Sequence, residues 1–134
     1  MTGAETRIHH LALTTSDLEK AMAFYDPLLS TLGYRNVLTS AAVAAWDLSG
    51  QPEILLYQAK GEAASRSHTL YQPGFHHVAF RVADRAIVDQ IHSWLCERGF
   101  TVLEAPRTFP DYPGDYYAVF FLDPDGLKLE LMTN

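Results

Sequence analysis

The sequence predicts an α+β fold in which two paired β-α-β-β-β units form a curved, partly open barrel, with a cleft along the inner sheet face and the helices outside. Two observations carry this prediction. The stretch IHHLAL at residues 8–13 is matched by FHHVAF at residues 75–80. In each copy a short alternating run is followed by about fifteen residues of helical pattern, which end at a glycine and an aromatic residue. Self-similarity of this kind indicates a duplicated unit.

The elements of each unit follow from changes in hydrophobic period. The alternating run after the histidines predicts a strand with one face on a core. In the first unit Ser16 is the expected N-cap of the helix, with Glu19 completing a capping box, and Pro27 is expected to kink or restart that helix. Further strands are predicted from AAVAAWDL and PEILLYQA in the first unit, and from TVLEA, YYAVFFL and LKLELM in the second.

Residues 60–74 are polar and contain Gly, Ser and Pro, which is typical of a linker. Unit one then spans about 6–59 and unit two about 75–134 of a single domain of 134 residues. Apolar residues make up 48% and charged residues 19% of the chain, as in globular proteins.

The charge pattern and the N-terminus limit the partners that we expect. The net charge is −6 and the basic residues are scattered, so we expect no nucleic acid partner. No apolar run reaches the length of a membrane span, and the N-terminus lacks the features of a signal peptide. We therefore predict a cytoplasmic protein. Its single cysteine, Cys96, is expected to be a buried structural thiol on the apolar face of a helix.

Strand alternation separates the two histidines of each pair. Leu11 and Leu13 must face the helix of the first unit, so His10 is predicted to face the cleft, and His77 follows by the repeat. His9 and His76 are expected at the entrance of their strands, where solvent or a backbone carbonyl can satisfy them.

The last strand supplies a carboxylate to the same cleft. Leu129 and Leu131 are its apolar set, which leaves Glu130 on the cleft face, and simple hairpin pairing puts Tyr116, Ala118 and Phe120 beside it. Two imidazoles and one carboxylate, from His10, His77 and Glu130, form a ligand set that suits Fe(II), Mn(II), Zn(II) or Ni(II) with open positions.

Other interpretations of these residues stay open at this point. Glu130 could instead be the salt-bridge partner of Arg81 or Lys128, and each histidine could simply bond nearby backbone. The repeat aligns Leu55 with Glu130, while Glu53 lies two residues earlier on the same face and would restore a carboxylate if the alignment shifted.

The chain resembles the vicinal oxygen chelate superfamily, which includes glyoxalase I, bleomycin-resistance proteins, fosfomycin-resistance proteins, methylmalonyl-CoA epimerase and extradiol dioxygenases. The resemblance is carried by HHLALTTSDLEKAMAFYDPLLSTLGY, HHVAFRVAD and YYAVFFLDPDGLKLELM. It implies metal ligands at His10, His77 and Glu130, with Leu55 at a fourth position where glyoxalase I has a ligand. It also implies a homodimer, in some members with each cleft built from both subunits.

The resemblance implies a divalent-metal-dependent lyase, isomerase or dioxygenase that binds a small substrate through neighbouring oxygens. Leu55, Arg81, Tyr116 and Phe120 are the candidate substrate-binding residues. Glu53 and Tyr112 are weak candidates for proton transfer, and a phosphonate substrate is not expected because Ala118 and Phe120 make their strand apolar.

The alternative is a non-catalytic protein of the bleomycin-resistance type that binds or sequesters a small molecule. An apolar cleft favours it, as does the leucine at the fourth ligand position.

Overall fold

The computed structural model describes residues 3–134, and the chain divides into two compact units between Arg66 and Ser67. The division falls inside the segment 60–74 that the sequence suggests as a linker, and this segment contains a short 3-10 helix at Gly61–Ser65. Within residues 3–134 each unit holds one α-helix and one open four-stranded sheet, so the predicted α+β class and the two β-α-β-β-β units are confirmed.

The first unit has the sheet order β1-β4-β3-β2. β1 and β4 are parallel, whereas β4, β3 and β2 are antiparallel neighbours. Its elements are β1 (His10–Thr15), α1 (Leu18–Thr31), β2 (Arg35–Thr39), β3 (Val43–Asp47) and β4 (Glu53–Gln58). Phe24, Leu28 and Trp46 are among the side chains fully buried in the core of the unit.

The second unit repeats this arrangement in the order β5-β8-β7-β6, with β5 and β8 parallel. Its elements are β5 (Val78–Arg81), α2 (Arg85–Glu97), β6 (Val102–Thr108), β7 (Tyr117–Leu122) and β8 (Lys128–Thr133). Leu129 and Leu131 of β8 are fully buried, as the alternation of that strand predicts. None of the helices within residues 3–134 has the length and apolar character to cross a membrane.

The strand register defines which residues of the two units are equivalent. Leu55 pairs with Ala12 in the first unit, as Glu130 pairs with Ala79 in the second. This agrees with the alignment in which Leu55, rather than Glu53, is the counterpart of Glu130.

The start of α1 differs from its prediction by one residue. Asp17, not Ser16, is the N-cap, and its carboxylate accepts a hydrogen bond from the Lys20 N–H at 3.0 Å. The Ser16 carbonyl instead accepts a hydrogen bond from the side-chain amide of Gln58 at 2.8 Å, so Ser16 belongs to the connection before the helix. Pro27 lies inside α1, which is not restarted there, because buried side chains on both sides of the proline hold the helix against the sheet.

The expectation for Cys96 is wrong, because this thiol is exposed. The buried face of α2 consists of Val88, Ile91 and Leu95. Cys96 follows Leu95 directly and is rotated by about 100° around the helix axis, which takes it off this face. Its Sγ lies 3.4 Å from His92 Nε2, one turn earlier.

Candidate metal and substrate site

A cavity of about 700 Å³ opens on the sheet of the second unit. All of its lining residues belong to this unit: Tyr71, His76, His77, Glu104, Arg107, Phe109, Pro110, Asp111, Tyr112, Pro113, Tyr116, Phe120, Lys128 and Glu130. The sequence-predicted residues His77, Tyr112, Tyr116, Phe120 and Glu130 therefore share one cavity.

Glu130 is the buried carboxylate of this cavity, with only 3% of its surface exposed. Its position on the interior strand β8 removes it from water, so each oxygen requires a partner. Oε2 lies 3.1 Å from His77 Nε2, and Oε1 accepts a hydrogen bond from the Tyr116 hydroxyl. Its partners are thus His77 and Tyr116, rather than the Arg81 or Lys128 that the sequence left open.

His77 is held in turn by its neighbour in the doubled pair. The Nδ1 atoms of His76 and His77 are 2.6 Å apart, and those of His9 and His10 are 2.9 Å apart. In each pair one ring must donate and the other accept, so the neighbouring ring takes the place of the expected solvent or carbonyl partner.

His76 also lines the cavity, contrary to the expectation that only the second histidine of the pair would do so. Alternation applies within a strand, and β5 begins only at Val78, so both histidines precede it.

Tyr116 is a hydrogen-bond donor that stays protonated. Burial, reinforced by the hydrogen bond to Glu130, raises the pKa of its hydroxyl well above the ordinary value of 10.0. Its phenol therefore fixes one carboxylate oxygen at physiological pH, and the other oxygen faces His77.

Aromatic rings form one wall of the cavity. Phe109 and Tyr112 are stacked with centroids 5.4 Å apart, and Tyr116 and Phe120 make edge contacts with Phe109. Phe109 and Phe120 are buried, whereas Tyr112 is 47% exposed. Ala118 lies in the buried cluster beneath these rings.

Two cations lie on the same wall. The Arg107 guanidinium sits 3.8 Å above the Phe109 ring, and Lys128 Nζ lies 4.7 Å from the centre of the Phe120 ring. The sequence argument against a phosphonate considered the strand that carries Ala118 and Phe120. The structure adds basic and hydroxyl groups from β6, β8 and Tyr116 to the same cavity.

Other sequence-predicted residues lie elsewhere. Arg81 is exposed, is not among the described residues lining the cavity, and donates to the Asn134 carbonyl at 3.4 Å. His10, Glu53 and Leu55 belong to the first unit, where His10 pairs with Glu53 across β1 and β4.

His77 and Glu130 are donors of the kind that a divalent cation takes. The 3.1 Å between His77 Nε2 and Glu130 Oε2 places one imidazole nitrogen and one carboxylate oxygen side by side, where a single cation could take both. Within residues 3–134 no three His, Cys, Asp or Glu side chains are gathered into a group that could hold a metal ion. The pair fits two positions of a ligand set, and further ligands must come from other groups.

Sequence reasoning did not predict His76, Arg107 or Phe109 as lining residues. Strand alternation did place Lys128 on the face of Glu130, although Lys128 was not among the predicted ligand-binding residues. Strand alternation could not predict Arg107 and Phe109, because the register of β6 against β7 is interrupted by bulges.

Comparison with known proteins gives the chain a family. The family model for the Glyoxalase/Bleomycin resistance protein/Dioxygenase superfamily matches residues 7–131. YqjT, an uncharacterized protein of Bacillus subtilis, is 32% identical over 127 residues, which cover 94% of this chain and 98% of YqjT. The metallothiol transferase FosB of Staphylococcus epidermidis is 30% identical over 132 residues, which cover 96% of this chain and 82% of FosB.

Solved structures agree with this result. A candidate glyoxalase from Bacillus halodurans superposes with a TM-score of 0.84 at 30% identity, over 95% of each chain. A lactoylglutathione lyase from Agrobacterium tumefaciens has the same fold, with a TM-score of 0.68 at 23% identity over 98% of this chain and 96% of the lyase. The chain belongs to the Glyoxalase/Bleomycin resistance protein/Dioxygenase superfamily.

Proposed function

We propose that the chain is a divalent-metal-dependent enzyme that acts on a small substrate held through two neighbouring oxygens, with His10, His77 and Glu130 as metal ligands. The observation that carries the proposal is the approach of His77 Nε2 to the buried Glu130 Oε2 at 3.1 Å inside a substrate-sized cavity. Iron, manganese, zinc and nickel all suit two imidazoles and a carboxylate.

The doubled histidine gives His77 two proton arrangements. Without a cation, His76 donates from Nδ1 to His77 Nδ1, and His77 Nε2–H donates to Glu130. If a cation were held here, His77 would carry its proton on Nδ1 and donate it to His76 Nδ1, and His76 would take on Nε2 the proton released from His77 Nε2, so that the His77 Nε2 lone pair would be available as a ligand. The same neighbour orients the imidazole in both states, so ligation requires no movement of the ring.

A bound divalent cation would supply Lewis acidity and a template for the two substrate oxygens. Groups of the protein itself would orient the ligands, limit the access of water and move a proton. Tyr116 holds Glu130 in one orientation, and the aromatic wall limits the access of water. Tyr112 at the wall and Glu53 in β4 are the candidates for moving a proton.

The proposed site is compatible with several classes of reaction. Lyase, isomerase and dioxygenase chemistry all use a substrate bound through neighbouring oxygens. The similarity to a metallothiol transferase adds metal-assisted transfer of a thiol to this set, supported by 30% identity over 132 residues.

Metal titration tests the proposal. Purified protein would be titrated with Fe(II), Mn(II), Zn(II) and Ni(II), as wild type, Glu130→Ala and His77→Ala, with Glu97→Ala on the exposed end of α2 as the matched control. We expect near-stoichiometric binding in the wild type and the control, and roughly 100-fold or greater loss in the two site variants. Equal, negligible binding in all four proteins would remove the metal proposal.

The aromatic wall and the leucine at the register position of Glu130 favour a second candidate, a protein that binds a small molecule without chemistry. This candidate would be supported if none of the metals binds while a small molecule still binds in the cavity.

We also propose a homodimer in the cytoplasm, in which His10 comes from the same chain or from the neighbouring copy. Membership of the superfamily supports this assembly. Sedimentation at micromolar concentration tests it, and a monomer under those conditions would remove the dimer.

A further inference from the structure

An unpaired ammonium group lies beside the proposed ligands. Lys128 begins the interior strand β8, two residues before Glu130 on the same face, and it lines the cavity. Its ammonium lies over the Phe120 ring, and no carboxylate of residues 67–134 forms an ion pair with it. An ammonium has three N–H donors, and one ring face leaves donors available to a ligand.

The second cation of the cavity differs in this respect. The Arg107 guanidinium lies over Phe109 and is also 3.5 Å from Glu104 Oε1, so a neighbouring carboxylate partly neutralises its charge. Lys128 is therefore the group best able to take an anion.

The fold itself does not require a cation at this position. Leu55 and Glu130 are register equivalents, so the residue two positions earlier is Glu53 in the first unit and Lys128 in the second. The same β-α-β-β-β unit is built with either charge, which points to a role for Lys128 in binding rather than in folding.

The other residues that line the cavity indicate what kind of ligand fits beside Lys128. Tyr112 presents a half-exposed ring that is stacked on buried Phe109, and Tyr71 is 76% exposed at the cavity. Flat apolar groups bind well against such rings. The lining residues also include three carboxylates, Glu104, Asp111 and Glu130, against the two cations, so a ligand with a single negative charge fits better than a dianion.

We propose that the cavity takes a small aromatic carboxylate, with its carboxylate on Lys128 Nζ and its ring against the wall formed by Phe109 and Tyr112. Lys128 and Glu130 are two residues apart on a strand, roughly 6 to 7 Å between Cα atoms. One small ring can span this distance, which leaves neighbouring oxygens of the ligand to face His77 and Glu130. The inference deepens the proposed function and rests on it only for this last placement.

The test uses the full chain after chelator treatment, so that a probe cannot bind through a metal. Binding of benzoate, benzamide and phenylphosphonate would be measured by calorimetry or ligand-observed NMR, in mildly alkaline buffer where the phosphonate is a dianion. The proteins are wild type, Lys128→Met, which keeps the length of the side chain, and Lys20→Met, which removes an exposed charge outside the cavity.

We expect benzoate to bind the wild type more tightly than either other probe. Its affinity should fall roughly tenfold in Lys128→Met, as expected for the loss of one charge-assisted hydrogen bond. Benzamide should bind both proteins equally, and Lys20→Met should behave as wild type.

Several outcomes would overturn the inference: no benzoate binding to the wild type, equal affinity for benzoate and benzamide, no effect of Lys128→Met, or a preference for phenylphosphonate. Titration of the wild type with the divalent metals tests the metal proposal separately. If metal binding fails and benzoate binding depends on Lys128, the cavity is an anion-binding site without a metal.

Discussion

Glu130 shows how single residues define this site. A carboxylate that is 97% buried is costly unless both oxygens are satisfied, and here one oxygen takes a phenol and the other an imidazole. The two partners differ in whether their proton can be replaced. Tyr116 keeps its proton because its pKa is raised, whereas His77 can exchange a proton for a cation. Tyr116 is thus a positioning residue for the proposed ligand.

Tyr116→Phe should weaken metal binding by roughly 10- to 100-fold while the cavity keeps its aromatic wall. Loss of a group that hydrogen-bonds to a metal ligand and orients it typically lowers metal affinity by this factor. Calorimetric titration with Mn(II) measures the effect.

Tyr117→Phe is the matched control, since the neighbouring hydroxyl donates to Asp89 instead. Equal metal affinity in Tyr116→Phe and Tyr117→Phe would show that the phenol does not position Glu130.

At the scale of elements, the parallel pairing of β5 with β8 builds the site. Ala79 lies opposite Glu130 in this parallel register, so the histidines just before β5 lie next to the start of β8, where Lys128 and Glu130 are located. The first unit uses the same parallel pairing of β1 with β4. There the side-chain amide of Gln58 joins the end of β4 to the start of α1, since it accepts from the Leu18 N–H and donates to the Ser16 carbonyl, both at 2.8 Å.

Gln58→Leu should lower the free energy of unfolding by about 1–2 kcal/mol, because it removes the hydrogen bonds that the side-chain amide makes to the Leu18 N–H and to the Ser16 carbonyl. Urea unfolding followed by circular dichroism measures the loss. Gln51→Leu, at an exposed position in the turn before β4, is the control and should change stability by less than about 0.5 kcal/mol. A similar loss in both variants would mean that the amide bridge contributes nothing specific.

At the scale of the whole molecule, duplication supplied a doubled histidine to each unit but a carboxylate at the Glu130 position to the second unit alone. Both pairs have the same contact between Nδ1 atoms, whereas Glu130 has Leu55 as its counterpart. The proposed ligand set therefore contains two histidines at equivalent positions of the repeat and a single glutamate, Glu130.

His10→Ala should therefore reduce Mn(II) affinity to about the same degree as His77→Ala, because each removes one imidazole from the proposed set. His92→Ala, on α2 and outside the set, should leave it unchanged. The result that would exclude His10 as a ligand is wild-type affinity in His10→Ala together with a clear loss in His77→Ala.

The sequence by itself determined the class of fold, the duplicated unit, and the strand faces on which Glu130 and Phe120 lie. These properties follow from local backbone geometry: a strand alternates its faces and a helix repeats every 3.6 residues, whatever the rest of the chain does. Equivalence between the two units, as for Leu55 and Glu130, follows from the same repeat.

Only the tertiary structure decided which atoms meet. Three features depend on contacts between distant segments and on bulges that interrupt the register: the pairing of Glu130 with Tyr116 and His77, the position of Arg107 and Phe109 at the cavity, and the hydrogen bond from Gln58 to Ser16 before α1. Local pattern carries no information about such contacts, because each depends on where another part of the chain has folded.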